Sequence, residues 1–288
     1  MWHSAIQIAL SPLRVHVSDH YLIAQTDHAT LAAAMREAGL VADALVVDAP
    51  YSARVHDGHD NGAQLANAIG GGEPSDNRRR QALGLLPFRE ALPYAAWDRD
   101  DVGGFCGTWS GLVRGWIGSM TDHLLATEWA ASMEAAGRYA FSPIACVESG
   151  SRVRLSGDGP SQWSTWLVVA RPRTREWQSW GTLPGAYVGG KEAKAVTGGK
   201  PLWLMRAIVG DYSREGDLVC DPCMGAGTTL VAAVELGRRA IGCEPDTGRF
   251  ELAAKRLAKA RPQMRMRLDV EAVEGEQAAW HMPRGGEK

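Results

Sequence analysis

Residues 217–244, DLVCDPCMGAGTTLVAAVELGRRAIGCE, decide how this chain folds. The apolar run at 218–220 is typical of a short strand that is buried on both faces. A glycine turn follows it, and the Ala/Val/Leu-rich run 228–237 predicts a helix that ends at a glycine. Residues 239–243 predict the next strand, and Glu244 follows that strand where ribose hydroxyls lie in nucleotide-binding folds. The stretch is therefore a βαβ unit laid out for a nucleotide-like ligand.

The glycine turn of this unit indicates which kind of ligand it holds. Gly225 and Gly227 permit positive φ and let a ligand approach the backbone closely. The turn lacks the third glycine of a dinucleotide fingerprint, and it has no lysine to hold a phosphate. Asp221 and Pro222 precede it instead, and a carboxylate there would repel a pyrophosphate but attract a cationic or amine-bearing ligand. An ordinary βα turn without a nucleotide is the alternative interpretation.

The nine residues 221–229, DPCMGAGTT, resemble the S-adenosylmethionine loop of amino-methyltransferases. Within the loop, Cys223 replaces the phenylalanine that usually forms one wall of the methyl-donor pocket in that family. Residues 25–27 (QTD) resemble the family's Gly-Asp segment, and residues 197–202 (TGGKPL) resemble its later Lys-Pro segment. The resemblance implies that S-adenosylmethionine binds to Asp27, Lys200, Pro201, Asp221, Pro222, Gly225, Gly227, Thr228 and Glu244.

A second motif, DAPY at residues 48–51, follows a predicted buried strand, at the sheet edge where ligands bind in open α/β folds. It resembles the Asp-Pro-Pro-Tyr catalytic motif of DNA amino-methyltransferases. The Asp48 carboxylate and the Ala49 carbonyl would accept the two N–H hydrogens of an exocyclic amine and turn its lone pair toward the methyl donor. Pro50 stiffens the turn, and Tyr51 offers a flat face to a base extruded from the duplex. By itself, Asp-x-Pro-Tyr is also a common turn sequence.

The order of the two motifs points to one class of these enzymes. The catalytic motif precedes the cofactor loop by about 170 residues, an order similar to the β class of DNA amino-methyltransferases. The implied fold is α/β: a Rossmann-like methyltransferase sheet, mostly parallel with one antiparallel strand, in circularly permuted strand order. Aspartate at position 48, rather than serine, resembles the N6-adenine subgroup.

The resemblance therefore implies methyl transfer from S-adenosylmethionine to the N6 amino group of adenine at specific sites in double-stranded DNA, with base flipping. Such an enzyme would be either part of a restriction–modification pair or an orphan. Two alternatives within enzymes stay open: N4 of cytosine in DNA, and an amine or amide of RNA or protein. A third is a DNA-binding protein that keeps the cofactor fold without catalysis, against which the intact Asp48, Pro50, Tyr51 and Asp221 argue.

Composition fits a globular protein, with 288 residues, 45% hydrophobic and 22% charged. No apolar run approaches the ~20 residues of a membrane span. The five cysteines are scattered, which predicts a reducing bacterial cytoplasm, with a phage or prophage as an alternative source. Cys220 and Cys223 have no second pair to complete a metal site, so we expect no metal.

Basic clusters predict where DNA would be held, although the net charge is only −2. The glycine-rich region 52–104 is the main candidate for target recognition, and the basic loop 171–197 is the second. The predicted contacts are Arg54, Arg78, Arg79, Arg80, Arg171, Arg173, Arg175 and Lys191, with simple solvation as the alternative for each. Specific DNA complexes bury about 1,000–2,500 Å², more than these regions offer, so we predict a homodimer.

The pattern predicts one catalytic domain over residues 1–288, with a poorly ordered tail at 263–288. Two helices are expected over 108–136. Residues 52–104 are expected to be a long loop region with at most one helix, and residues 177–200 are expected to be loop. A strand is predicted over 138–147, and the proline within it indicates a bulge or a sheet edge at that point. Residues 152–155 and 165–170 should form a pair resembling a β-hairpin.

Overall fold

A ten-stranded β-sheet forms the centre of the computed structural model, which describes residues 2–55, 94–151, 159–196 and 198–262. The strands are β1 (Val15–Val17), β2 (Tyr21–Ala24), β3 (Ala44–Asp48), β4 (Ile117–Thr121), β5 (Tyr139–Ala140), β6 (Ile144–Ser149), β7 (Ser164–Arg171), β8 (Ala186–Gly190), β9 (Leu218–Asp221) and β10 (Arg239–Cys243). The α-helices in the described ranges are α1 (Ser4–Ala9), α2 (His28–Glu37), α3 (Arg99–Trp109), α4 (Ala126–Ala135), α5 (Leu202–Tyr212), α6 (Thr228–Glu235) and α7 (Thr247–Leu257).

The strand order is β1-β2-β10-β9-β3-β4-β7-β6-β8, with β5 beside β7. Strand β7 is antiparallel to β4, β5 and β6, and β1 is antiparallel to β2. The neighbours from β2 through β10, β9 and β3 to β4 are all parallel. The predicted mostly parallel sheet is confirmed, with β1 as a second antiparallel strand. The late strand β9 lies beside the early strand β3, as the permuted order requires.

Helices cover both faces of the sheet. On one face, α1 to α4 pack a core that includes Phe105, Trp109 and Trp129. On the other, α5 to α7 pack a core that includes Met205 and Phe250. Because both faces are covered, the central strands are buried throughout, and they read as continuous apolar runs in the sequence.

The predicted βαβ unit is confirmed as β9, α6 and β10. Pro201 directly precedes α5 and occupies its N-cap position. The predicted strand after residue 138 is interrupted at Ser142-Pro143, which separates β5 from β6. Strand β7 pairs with β6, whereas residues 152–155, its predicted partner, lie outside the described residues.

Two element predictions were wrong. Residues 117–121, predicted as helix, form β4, because a strand covered on both faces shows no alternation that would identify it. Residues 186–190, predicted as loop, form the edge strand β8, where glycines mask the pattern. Helix α3 begins at Arg99, within the region 52–104 that was predicted as a long loop with at most one helix, and Asp98 caps it with a capping box. Most of that loop region, at 56–93, lies outside the described residues, as does the tail at 263–288.

Candidate active site

The two sequence motifs meet at one edge of the sheet. Asp48 ends β3 and Asp221 ends β9, and these strands are parallel neighbours that pair Leu45 with Cys220. A cavity of about 200 Å³ opens at this edge and is lined by both carboxylates. Residues that lie 173 positions apart in the chain therefore share one cavity, as the sequence predicted.

The glycine turn forms one wall of the cavity. Gly225 and Gly227 have φ of 52° and 75°, the left-handed conformation that the sequence predicted for them. The Gly225 N–H donates to Glu244 Oε2 at 3.0 Å, so the end of β10 holds the turn in place. The Arg256 guanidinium of α7 also donates to the Ala226 carbonyl and to the Thr228 hydroxyl. The turn is thus fixed before any ligand arrives.

The two glycines differ in what a side chain would meet, which gives a matched pair of variants. A Cβ at Gly227 would lie 3.1 Å from the Cβ of Ala253, whereas a Cβ at Gly225 would meet nothing within 4 Å. Left-handed backbone costs about 1–2 kcal/mol in either alanine variant. We expect Gly227→Ala to lower the free energy of unfolding further than Gly225→Ala does, measured by urea denaturation. An equal loss would show that the α6–α7 contact does not constrain the turn.

Carboxylates dominate the electrostatics of the cavity. Asp221 is 1% exposed, and its Oδ1 accepts a hydrogen bond from the Cys223 N–H at 3.1 Å. Burial, together with the nearby charges of Asp48 and Glu244, raises the pKa of Asp221 to about 7. Burial also raises the pKa of Glu244. Three acids around one cavity favour a cation over an anion, in agreement with the sequence argument.

The remaining predicted cofactor residues have separate positions. Asp27 lines the cavity and also caps α2, because its Oδ1 accepts from the N–H groups of Ala29 and Thr30, each at 2.9 Å. Pro222 and Thr228 line the cavity as predicted. Pro201 and Gly227 are not among its lining residues and instead shape the backbone at the start of α5 and α6.

Lys200 contacts the catalytic motif as well as lining the cavity. Its ammonium nitrogen lies 2.6 Å from Asp48 Oδ1 and 2.8 Å from Asp48 Oδ2. The same nitrogen lies 4.7 Å from the centroid of the Tyr51 ring, a cation–π contact. The Lys200 side chain is only 9% exposed. Lys200, which the resemblance assigned to the cofactor, thus contacts both the Asp48 carboxylate and the Tyr51 ring of the catalytic motif.

The cavity is also lined by residues that the sequence analysis did not predict, among them His28, Tyr94, Trp97 and Arg249. The Arg249 guanidinium lies 4.9 Å from the centroid of the Tyr94 ring. Trp97 packs on Phe105 and Trp129 in the core and also reaches the cavity. Burial lowers the pKa of His28, so its ring is neutral near pH 7. No local motif marks these residues, because tertiary packing alone brings them together.

The predicted DNA contacts fall into two groups. Arg54 is exposed and lies three residues after Tyr51, and Lys191 directly follows β8, whose end lies at the same edge as the cavity. Arg171 pairs with Tyr139 beyond the amino end of β4, at the opposite edge of the sheet, and its guanidinium lies 4.8 Å from the Tyr139 ring centroid. Of the five remaining predicted contacts, two share that opposite edge and three lie outside the described residues.

Arg173 also lies over the Tyr139 ring, and Arg175 begins a 3-10 helix whose Trp177 packs near Gly115, ahead of β4. The structure thus does not bring Arg171, Arg173 or Arg175 to the cavity edge, and the predicted basic loop is split between two edges. Arg78, Arg79 and Arg80 lie outside the described residues.

Part of the chain matches a family of known function. Residues 157–255, which contain the glycine turn, match the family model N6_N4_Mtase, described as DNA methylase. The resemblance drawn from the sequence is confirmed by this match.

Relatives in the same group match over short segments. The chain is similar to the type II methyltransferase M.HindIII of Haemophilus influenzae, with 45% identity over 58 residues, 20% of this chain and 19% of that protein. It is 31% identical over 102 residues to the type II methyltransferase M.HinfI of Haemophilus influenzae, 35% of this chain and 25% of that protein. The matched segments thus span about a fifth to a quarter of the relatives' length.

Solved structures match over most of the chain. The M1.HpyAVI–SAM complex aligns with a TM-score of 0.56 and 19% identity, over 82% of this chain and 98% of that one. The PvuII DNA methyltransferase, described as cytosine-N4-specific, aligns with a TM-score of 0.52 and 10% identity, over 83% and 87%. At these identities the structures confirm the methyltransferase fold.

Proposed function

We propose that this chain, whose residues 157–255 match the family model described as DNA methylase, is a site-specific, S-adenosylmethionine-dependent methyltransferase that acts on the N6 amino group of adenine in duplex DNA. The observation that carries the proposal is the meeting of Asp48 with the acid-lined glycine turn in one cavity. Aspartate rather than serine at position 48 supports adenine over the N4 group of cytosine. Digestion of the product DNA and base analysis separate these two outcomes.

The cavity has the chemistry that S-adenosylmethionine requires. The buried Asp221 carboxylate suits the cationic, amine-bearing end of such a ligand, and Glu244 follows β10 where ribose hydroxyls lie in this type of fold. Tyr94 and Trp97 line the cavity and supply aromatic rings where Cys223 lacks one. When bound, S-adenosylmethionine supplies an electrophilic methyl group on a positively charged sulfur.

The residues of the catalytic motif would prepare the amine. An exocyclic amine is a weak nucleophile because its lone pair is delocalised into the ring. By accepting the amine N–H hydrogens, the Asp48 carboxylate and the Ala49 carbonyl would localise that lone pair and stabilise the positive charge that develops on nitrogen. Tyr51 would stack on the extruded base, a contact worth about 1–3 kcal/mol in single-strand binders.

Lys200 competes with the target amine for this site. Its ammonium already donates to both Asp48 oxygens and covers the Tyr51 ring, which is 8% exposed. The base can stack on Tyr51 and donate to Asp48 only after this ammonium moves away. Entry of the base therefore breaks the charge-assisted hydrogen bonds between Lys200 and Asp48, which makes base binding less favourable in the cofactor-free protein.

We expect Lys200→Met to ease extrusion of the base in the cofactor-free complex. The equilibrium constant for extrusion should rise about tenfold, the value of one hydrogen bond to a charged group. The probe is a duplex with 2-aminopurine at the target position, whose fluorescence increases when the base leaves the stack. Lys200→Arg keeps the cation and should resemble the wild type. Equal fluorescence in the wild type and Lys200→Met would contradict the competition.

The proposed function is tested by expressing the protein in a host without DNA methylation and sequencing the modified bases. A single methylated motif is the expected result, and it also identifies the recognised site. Transfer of tritium from labelled S-adenosylmethionine to duplex DNA provides the same test with purified protein. Cofactor binding without transfer to any DNA would favour a non-catalytic binding protein. Transfer to RNA or protein alone would show that the substrate is not DNA.

The DNA surface proposed here is the cavity edge with Arg54 and Lys191, and it excludes the arginines of the opposite edge. No helix in the described ranges could span a membrane, and no group of acids, histidines or cysteines there could hold a metal ion. The homodimer and the bacterial cytoplasmic location stay predictions. A monomeric mass by light scattering, with and without DNA, would contradict the dimer.

A further inference from the structure

One peptide bond of the catalytic loop is held at both ends. The carbonyl of Tyr51 accepts a hydrogen bond from the Trp97 backbone N–H at 3.0 Å. The N–H of Ser52, which belongs to the same peptide plane, donates to Asp122 Oδ2 at 2.7 Å. The Asp122 residue is 3% exposed. We call this arrangement the Tyr51–Ser52 clamp.

We propose that Asp122 is a positioning residue for Tyr51, an inference that rests on the proposed function. A peptide plane is rigid, so fixing both its oxygen and its nitrogen fixes the backbone on either side of it. Tyr51 ends the catalytic motif directly before this plane, and its ring direction follows from the backbone there. A buried carboxylate that accepts from a backbone N–H forms a short, charge-assisted bond. Asp122 therefore sets the orientation of the Tyr51 ring on which the base would stack.

Both anchors of the clamp are themselves rigid. Asp122 directly follows β4, the strand beside β3, so the clamp spans neighbouring strand ends. The Trp97 ring packs on Phe105 at 5.3 Å and on Trp129 at 6.1 Å between centroids, within the aromatic core of α3 and α4. Trp97 also lines the cavity. The clamp therefore fixes the Tyr51 ring, on which the base would stack, relative to the cavity in which the cofactor would bind.

Asp122 has a local role that the experiment must separate from positioning. Its second oxygen, Oδ1, accepts from the N–H groups of Leu124 at 2.8 Å and Leu125 at 3.2 Å, which forms a turn before α4. Asp122→Asn keeps one oxygen for this turn but presents an NH₂ donor to the Ser52 N–H. Asp122→Ser also supports such a turn, but its side chain is too short to replace the bond across to Ser52. Both variants preserve the turn and remove the clamp.

The first measurement is hydrogen exchange at the Ser52 amide, followed on peptides that cover residues 49–55. We expect faster exchange there in both variants, with no change in the peptides of α4. The second is kinetics: kcat/KM for DNA should fall by about 10- to 100-fold, the range for a hydrogen bond to a charged group, while cofactor affinity is unchanged.

A third arm tests whether Asp122 acts through Tyr51. In a Tyr51→Ala background, Asp122→Asn should cause no further loss of kcat/KM, because there is no ring left to position. Unchanged Ser52 exchange, or a full additional loss in that background, would overturn the proposal. The exchange result does not depend on activity, so it still reports on the clamp if the wild type transfers no methyl group to DNA, an outcome that would instead overturn the proposed function.

Discussion

Asp48→Ala is expected to lower kcat for methyl transfer by about 10²–10³-fold or more, the usual effect of removing one preorganised group that stabilises transition-state charge. The carboxylate would accept an N–H of the target amine and face the positive charge that develops on its nitrogen. Cofactor affinity should change far less than turnover, because Asp221 and Glu244 still line the cavity, whereas Asp48 would bind the target amine. A combined loss of turnover and of cofactor binding would instead indicate damage to the whole cavity.

Tritium transfer to duplex DNA measures turnover, and calorimetry with S-adenosylmethionine measures affinity. Asp100→Ala is a suitable control, because Asp100 is an exposed acid in the first turn of α3, outside the cavity. Asp48→Asn is a second informative variant, since it keeps the shape but removes the charge that pairs with Lys200. Wild-type turnover in Asp48→Ala would remove Asp48 from the mechanism.

The sequence could predict the parts of the site that are local in the chain. Asp221, the glycine turn and Glu244 lie within one βαβ unit, whose periodicity and glycines are visible in 28 consecutive residues. The catalytic motif was placed at a strand end by the apolar run before it. From these two strand ends, the general rule for ligand sites in open α/β sheets placed both motifs at the same edge.

The rest of the site depends on contacts between distant segments. Asp122 follows a strand that was predicted as helix, so nothing in the sequence placed it beside Ser52. The family resemblance predicted that Lys200 binds the cofactor. It did not predict the pairing of Lys200 with Asp48, which lies 152 positions away in the chain. Arg171 was predicted to contact DNA from the charge pattern around it. Strand β7 runs antiparallel to β4 and places Arg171 at the edge of the sheet opposite the cavity. The pattern of charges along the sequence does not show at which edge of the sheet a charged residue lies.

Asp221→Asn is expected to weaken S-adenosylmethionine binding and to change its dependence on pH. Burial raises the pKa of the Asp221 carboxyl to about 7 in the cofactor-free protein. A cationic ligand favours the ionised carboxylate, so binding below this pKa must first release a proton. Affinity should therefore fall as the pH drops below about 7, by at most about tenfold per pH unit. The loss at about pH 8 on removing the charge should be about 10- to 100-fold.

The comparison that isolates Asp221 uses two variants over a range from about pH 6 to about pH 8. Asp221→Asn should have an affinity that is nearly independent of pH, whereas Glu244→Gln should bind more weakly but keep the wild-type slope. The same linkage gives a stability test without ligand. An aspartate whose folded pKa lies above its unfolded value makes the protein less stable as the pH rises from about 4 to about 7. Cofactor-free Asp221→Asn should therefore unfold at a higher temperature than the wild type at about pH 8. Parallel affinity curves for the wild type and Asp221→Asn would show that this carboxylate does not face the cationic end of the cofactor.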